Sequence, residues 1–243
     1  MDFKEFNEAE AKIPREAALA AFRIRAAIVR LGETPRSGWV KMGIPNPETV
    51  SKHCYEIGVL AYLTYDIFGG EKLGISRGEF MLAGLLHDIS EAIMGDQIVE
   101  EGLAIDNKRK ETKHEEEDAI ASWLFREFPD AENLLRIYRL ATKDDKVAPV
   151  MKMLDRFQMA RTALIYEIDH NVDLSEFFDN AAIYLTAENT PEEVRQEFSN
   201  LLVVRPNNLP PDVLESARKM GGVNFLLEIN QGLNELADNI HES

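Results

Sequence analysis

The chain has 243 residues, enough for one large domain or two small ones around a sizeable core. Hydrophobic residues make up 45% and charged residues 29%, an ordinary globular composition, while a formal net charge of -16 argues against a nucleic-acid polymer or an anionic membrane as the main partner. The single cysteine, Cys54, fits a reducing compartment, and neither a signal-peptide core nor a bilayer-length apolar run is present, so the expected location is the cytoplasm.

A small phosphorylated substrate stays open, because a buried cation can reverse the local field. Residues 14–31 predict a helix, rich in alanine, with Leu19, Phe22, Ile24 and Ile28 among arginines and Gly32 as its stop. Residues 33–46 read as a loop punctuated by Pro35, Gly38, Gly43 and Pro45. Asn46-Pro47 then predicts a cap and first turn. The helix that follows carries Val50, His53, Cys54, Ile57, Leu60, Ala61 and Thr64 on one face. His53 therefore points inward, as a satisfied core histidine or as a ligand. Gly69-Gly70 closes this helix, and Ser76 with Glu79 predicts a capping box for the next.

That next stretch, Met81 to Asp96, reads MLAGLLHDISEAIMGD. Leu82, Leu85, Leu86, Ile89 and Ile93 give the stripe of a core-facing helix. His87, Asp88 and Glu91 share one side of it, with Asp96 just past Gly95. Carboxylates on an apolar helix are costly to bury without a cation or hydrogen-bonding partners. The stretch is either the solvated edge of an amphipathic helix or half of a metal site completed by other helices.

Residues 97–117 read as a solvated loop entering a charged helix start, with His114 among charges and not a candidate ligand. Glu115 to Phe128 predicts a helix burying Ile120, Trp123, Leu124 and Phe128, and Pro129-Asp130 opens a shorter one ending near Ala141. Val147 to Ile168 is the last strongly periodic helix, with Asp155 at the border of its stripe and Lys152 one turn earlier as an ordinary surface partner. Beyond it, Phe177 to Leu185 predicts a helix and Thr190-Pro191-Glu192-Glu193 a capping box. Val213 to Ile240 is helical in pattern, broken at Gly221-Gly222. Strand signal is almost absent, so the expected fold is all-α.

His53, His87-Asp88 and Asp155 together form the order H…HD…D on three helices. The chain resembles the HD superfamily of metal-dependent phosphohydrolases, and within it the 5'-deoxynucleotidase branch. The resemblance rests on PRSGWV (Pro35 to Val40), ETVSKH (Glu48 to His53), LLHDISEAIMGD (Leu85 to Asp96) and KMLD (Lys152 to Asp155), and covers roughly Ala17 to Glu167. A bare HD pair is weak; HDxxE followed by GD, with RxGW and ExVSxH upstream, is far more specific. One departure is Lys52, where the branch usually has an acidic residue before the first histidine.

The resemblance implies an HD-domain helical bundle over residues 1–170; the tail over 171–243 lies beyond the matched region, is the larger departure, and reads as a helical extension packed on the core or at a subunit interface. It implies His53, His87, Asp88 and Asp155 as ligands of one divalent ion (Co, Mn, Fe, Ni, Zn or Mg), which would polarise a phosphoryl group and activate water. Glu91 would orient or deprotonate that water, Asp96 would contact the sugar hydroxyl or assist the leaving oxygen, and Arg36 would clamp the phosphate. Trp39 and Glu48 are placed near the pocket, Trp39 equally as a packing anchor. The implied activity is hydrolysis of 2'-deoxynucleoside 5'-monophosphates by a homodimer acting on a small nucleotide. Two alternatives are hydrolysis of a nucleoside triphosphate or a guanosine tetraphosphate-type alarmone, and a non-catalytic metal- or nucleotide-binding module. The first would want more Lys and Arg near the motifs; the second would not need Glu91 and Asp96.

Overall fold

The computed structural model describes residues 14–97 and 106–229. Among these the chain is helical, with no named strand and one isolated bridge, Pro35 to Thr49. Two compact units divide it, Met1–Met151 and Lys152–Ser243.

The first unit opens with α1 (Arg15–Glu33), then a short α2 (Ser37–Lys41) and α3 (Val50–Thr64). A 3-10 turn, Gly70–Leu73, leads to α4 (Arg77–Leu86), α5 (Glu91–Met94), α6 (Asp106–Phe125) and α7 (Ala131–Lys143). Ala27 and Leu31 of α1, Val50 and Cys54 of α3, Leu124 and Phe125 of α6 and Tyr138 of α7 close around Ile89 and Ala92. The pairing of α3 with α4 is set by glycine. A Cβ on Gly84 would sit 3.0 Å from Gly58 Cα and N and from Ile57 O, so the two backbones touch where they cross. This crossing brings the His53 helix against the helix that ends at His87.

Several expectations shift, each for a local reason. Gly32 does not stop α1, which runs to Glu33; the Thr34 hydroxyl donates to Arg30 O at 2.9 Å and its N–H reaches Leu31 O. The expected loop after it contains α2. The next helix starts at Val50 rather than at Asn46-Pro47. Asn46 adopts a left-handed φ of 49°, and the bridge holds residues beside Thr49 extended, with Arg36 N–H on Glu48 O at 3.0 Å and Val50 N–H on Thr34 O at 2.9 Å. Thr49 takes the cap instead, accepting from Lys52 N–H. That helix closes at Thr64, ahead of Gly69-Gly70. The Ser76–Glu79 capping box forms as expected.

The Met81 to Asp96 stretch is not one helix. It breaks at His87, and Ile89, Glu91 and Ala92 donate to carbonyls three residues back, the tight 3-10 spacing. The break turns Ile93 outward to 46% exposed. The polar run is helical from Asp106, where Lys and Glu are good helix formers and Lys113 pairs with Glu117 at 3.4 Å. Trp123 is exposed, lying near the Arg23 and Arg126 guanidiniums at 5.2 and 5.8 Å, while Phe125 takes the core position.

In the second unit α8 (Val147–His170), which begins in the first, continues to its end and is followed by α9 (Ser175–Leu185), α10 (Glu192–Val203) and α11 (Pro211–Met220), then a helical stretch over 222–229. The part of the expected tail helix beyond 229 lies outside the described residues. Glu167, 3% exposed, accepts Leu174 N–H at 3.0 Å and pairs with Arg205, whose guanidinium lies over Phe178 at 4.2 Å. The capping box at Thr190 does not form: its hydroxyl donates to Tyr184 O at 2.8 Å, leaving Pro191 at the cap. No helix among the described residues is long and apolar enough to cross a membrane.

Candidate functional site

The break after α4 does the local work at the HD pair. His87 caps the helix in αR geometry, and its Nδ1 lies 2.7 Å from Gly84 O. A carbonyl only accepts, so Nδ1 carries the proton and the tautomer is fixed. In the neutral ring that leaves the Nε2 lone pair facing the site. It is buried and has no hydrogen-bond partner, although Asp88 Oδ2 is only 3.1 Å away, at ion-pair distance. His53 comes from the first turn of α3, fully buried, and its Nε2 stands 3.8 Å from the same Asp88 oxygen. The two imidazoles meet edge to face, with centroids 5.2 Å apart.

Arg36 approaches from the residue before α2. Its Nη1 donates to Asp88 Oδ2 at 3.0 Å, and its Nε is 4.0 Å from Asp96 Oδ2. Asp96 follows Gly95, whose φ of 75° and ψ of 163° suit only glycine and turn the chain sharply after α5. Ser37 meets it there: its backbone N–H donates to Asp96 Oδ2 and its hydroxyl to Asp96 O at 2.6 Å. Trp39 is buried, and its indole N–H donates to buried Glu48 at 2.9 Å. Both therefore anchor the segment that carries Arg36. Glu91 opens α5, 7% exposed, and its Oε2 has no hydrogen-bond partner. Asp155 lies on α8 in the second unit, where Lys152 Nζ is 3.3 Å from its Oδ2.

The electrostatics of this cluster favour positive charge. Burial disfavours the His87 imidazolium, but the adjoining Asp88 carboxylate outweighs it and raises the ring's pKa well above the ordinary value. Burial likewise pushes Asp88 up, and His87 and Arg36 more than reverse this. Glu91 is pushed up to about 10, first by burial and then by Asp88 and Asp96. A protonated Glu91 beside two carboxylates marks a place where negative charge exceeds what Arg36 alone offsets. Two imidazoles, that of His87 with an unpartnered Nε2, and the Asp88 carboxylate form a His/Asp cluster able to hold a divalent cation.

Two residues escaped the sequence reading. Cys54 Sγ, a His87 ring nitrogen and an Asp88 oxygen lie within 4.8 Å of one another. Its thiol is raised by burial, with His87 partly opposing. The signal was its position next to His53. Ser37 gave no signal of its own, because its partner is 59 residues away.

A family model described as HD domain matches residues 28–196. The 5'-deoxynucleotidase HDDC2 of Mus musculus is 31% identical over 167 residues, 66% of this chain and 77% of the relative. The 5'-deoxynucleotidase hdd1 of Schizosaccharomyces pombe is 31% identical over 157 residues, 61% and 74% of the two chains. HDDC2 of Homo sapiens is 32% identical over 160 residues, 63% and 72%. Among solved structures, the PH0347 protein of Pyrococcus horikoshii OT3 matches with a TM-score of 0.55 at 21% identity, covering 74% of this chain and 99% of that one. A conserved hypothetical protein of Pyrococcus furiosus matches at 0.54 and 22% identity, covering 72% and 97%. These two likenesses speak to the fold.

Proposed function

This chain belongs to the HD domain family, and from that premise we propose that it is a 5'-deoxynucleotidase, hydrolysing 2'-deoxynucleoside 5'-monophosphates to deoxynucleoside and phosphate. The observation that carries the reading is the convergence of His53 Nε2, His87 Nε2 and Arg36 Nη1 on one oxygen of Asp88, in a chain whose relatives bear that name.

His53, His87 and Asp88 are proposed to hold one divalent ion, with Asp155 as fourth ligand on the H…HD…D order of the sequence alone. When bound, such an ion supplies Lewis acidity to the phosphoryl group and acidifies a neighbouring water. Cobalt, manganese, iron, nickel, zinc and magnesium all suit nitrogen and oxygen donors to differing degrees.

Arg36 binds the phosphate through its planar fork of donors. Glu91 orients the attacking water and takes its proton; the two carboxylates that hold Glu91 protonated would be offset by a bound cation, which brings its proton affinity down to the range a base needs. Water adds its oxygen to phosphorus, the bond from phosphorus to the 5'-oxygen breaks, and the proton taken from the water passes to that oxygen, which leaves as the hydroxyl of the deoxynucleoside. Asp96 serves the sugar hydroxyl or the leaving oxygen. Trp39 and Glu48 hold the Arg36 segment.

Residues 1–170 are taken as the catalytic core and 171–243 as an extension. A cytoplasmic homodimer is the proposed setting, and exposed Leu19, Phe22 and Val29 of α1 support self-association.

Two substitutions test the assignment. Asp88→Ala is expected to lose bound metal and activity together. Glu91→Gln is expected to keep the metal and lose about 10²–10⁴-fold in rate, the usual worth of a positioned acid or base. Metal analysis beside steady-state rates separates the two, and a Glu91→Gln protein stripped of its metal would remove Glu91 from the proton-transfer role.

A further inference from the structure

Resting on that reading of the site, we propose that Ser37 and Asp96 form a clasp that sets the Arg36 guanidinium, making Ser37 a positioning residue for phosphate binding. The clasp is reciprocal. Ser37 gives its backbone N–H to the Asp96 side chain and its hydroxyl to the Asp96 backbone carbonyl, the latter at 2.6 Å. Arg36, which stands at the cap of α2, makes no side-chain cap hydrogen bond, so the first helical N–H needs an acceptor from elsewhere. Asp96 supplies it. The same oxygen, Oδ2, faces the Arg36 Nε at 4.0 Å.

On its other side Arg36 is fixed through Glu48. Its N–H donates to Glu48 O at 3.0 Å, and the Glu48 side chain is tied to the Trp39 indole. The backbone that carries the guanidinium is thus held from both flanks, one by Glu48 and one by Asp96. Only the second depends on a turn that glycine permits. Gly95 has φ 75°, and a Cβ added there would meet nothing within 4 Å, so Gly95→Ala strains the turn without a steric clash. That substitution therefore reaches the clasp without touching Ser37, Asp96 or Arg36.

A long flexible arginine binds an anion best when its rotamer is chosen beforehand, because the ordering cost falls before the ligand arrives. Ser37 acts through Arg36 and not on the metal ligands. Losing the hydroxyl should weaken phosphate binding and spare metal binding.

The test measures inorganic phosphate binding by calorimetry to the full-length protein loaded with Mn²⁺. Wild type is compared with Ser37→Ala, Ser37→Thr, Gly95→Ala, Arg36→Met and the double variant Ser37→Ala/Arg36→Met. Ser37→Ala and Gly95→Ala are expected to weaken phosphate about fivefold, the worth of one ordinary hydrogen bond. Ser37→Thr should return to within about twofold of wild type, and the double variant should match Arg36→Met alone within the same margin. Mn²⁺ affinity should hold throughout the single variants at Ser37. An equal loss from Ser37→Ala on the Arg36→Met background, an unchanged phosphate affinity, or a fall in Mn²⁺ affinity would each overturn the clasp. A wild-type protein that takes up no Mn²⁺ overturns the site assignment itself, and the clasp with it.

Discussion

His87 shows how much one side chain can settle. Its Nδ1 is spent on Gly84 O, and its Nε2 is held beside Asp88 without a shared proton, which is how two ligands look when they aim at a common point. Other residues have purely structural duties that can be told apart by pH. Glu79 accepts from Ser76 N–H and Oγ at 2.8 Å and from the Arg136 guanidinium, and these contacts lower its carboxyl to about 2. A carboxyl held below its ordinary value of 4.5 contributes stability above that value and loses it as pH falls toward 2. Because the group is largely exposed, the contribution is modest. Glu79→Gln is expected to cost about 0.5–1 kcal/mol near neutral pH. Urea melts at several pH values should show the gap to wild type closing between pH 5 and pH 2. A gap that stayed constant over that range would mean the charge is not what Glu79 contributes.

At the level of elements, the crossing of α3 and α4 joins fold to function. Gly58 and Gly84 let the backbones touch, and each helix contributes one of the two histidines, whose ring centroids lie 5.2 Å apart. Gly84→Ala drives a methyl to 3.0 Å from the α3 backbone and is expected to cost about 1–3 kcal/mol by overpacking, with metal affinity falling as His53 and His87 are pushed apart. Gly78, in the exposed first turn of α4 with open space around it, is the matched control: Gly78→Ala should stabilise by about 0.4–1 kcal/mol. Thermal denaturation with metal titration of both variants checks the pair, and similar effects at the two sites would dismiss the close approach as the cause.

The same elements show which parts of the molecule could be read from the chain. Helical periodicity announced α1, α3, α8 and α9 to within a few residues, because apolar spacing is a local property. The Ser76 capping box was legible for the same reason. What eluded the reading was decided by distant partners or by one dihedral. Thr49 displaced Asn46 as a cap because residue 35 pairs with residue 49. Trp123 left the core because Arg23, a hundred residues earlier in the chain, lies over its ring. The stripe from Leu82 to Ile93 gave no sign that the helix would tighten at His87, since an α-helix and a 3-10 turn share the i, i+3 spacing. The motif residues themselves were legible by type and order, whereas the convergence on one oxygen of Asp88 is a matter of geometry.

For the molecule as a whole, an acidic chain of net charge -16 is proposed to bind an anion, and the contradiction is resolved locally. Arg36 and a divalent ion would reverse the field at one point while the surface stays acidic, which disfavours polymers and larger polyphosphates at long range. That leaves a small monophosphate as the best-matched substrate. The most direct measurement is phosphate release by metal-stripped protein from a panel of deoxy- and ribonucleoside mono-, di- and triphosphates, with Co, Mn, Mg, Ni and Zn restored one at a time. The account predicts release from 2'-deoxynucleoside 5'-monophosphates alone, and only with an ion restored. Release of pyrophosphate or triphosphate, or silence across the panel with an ion demonstrably bound, would contradict it.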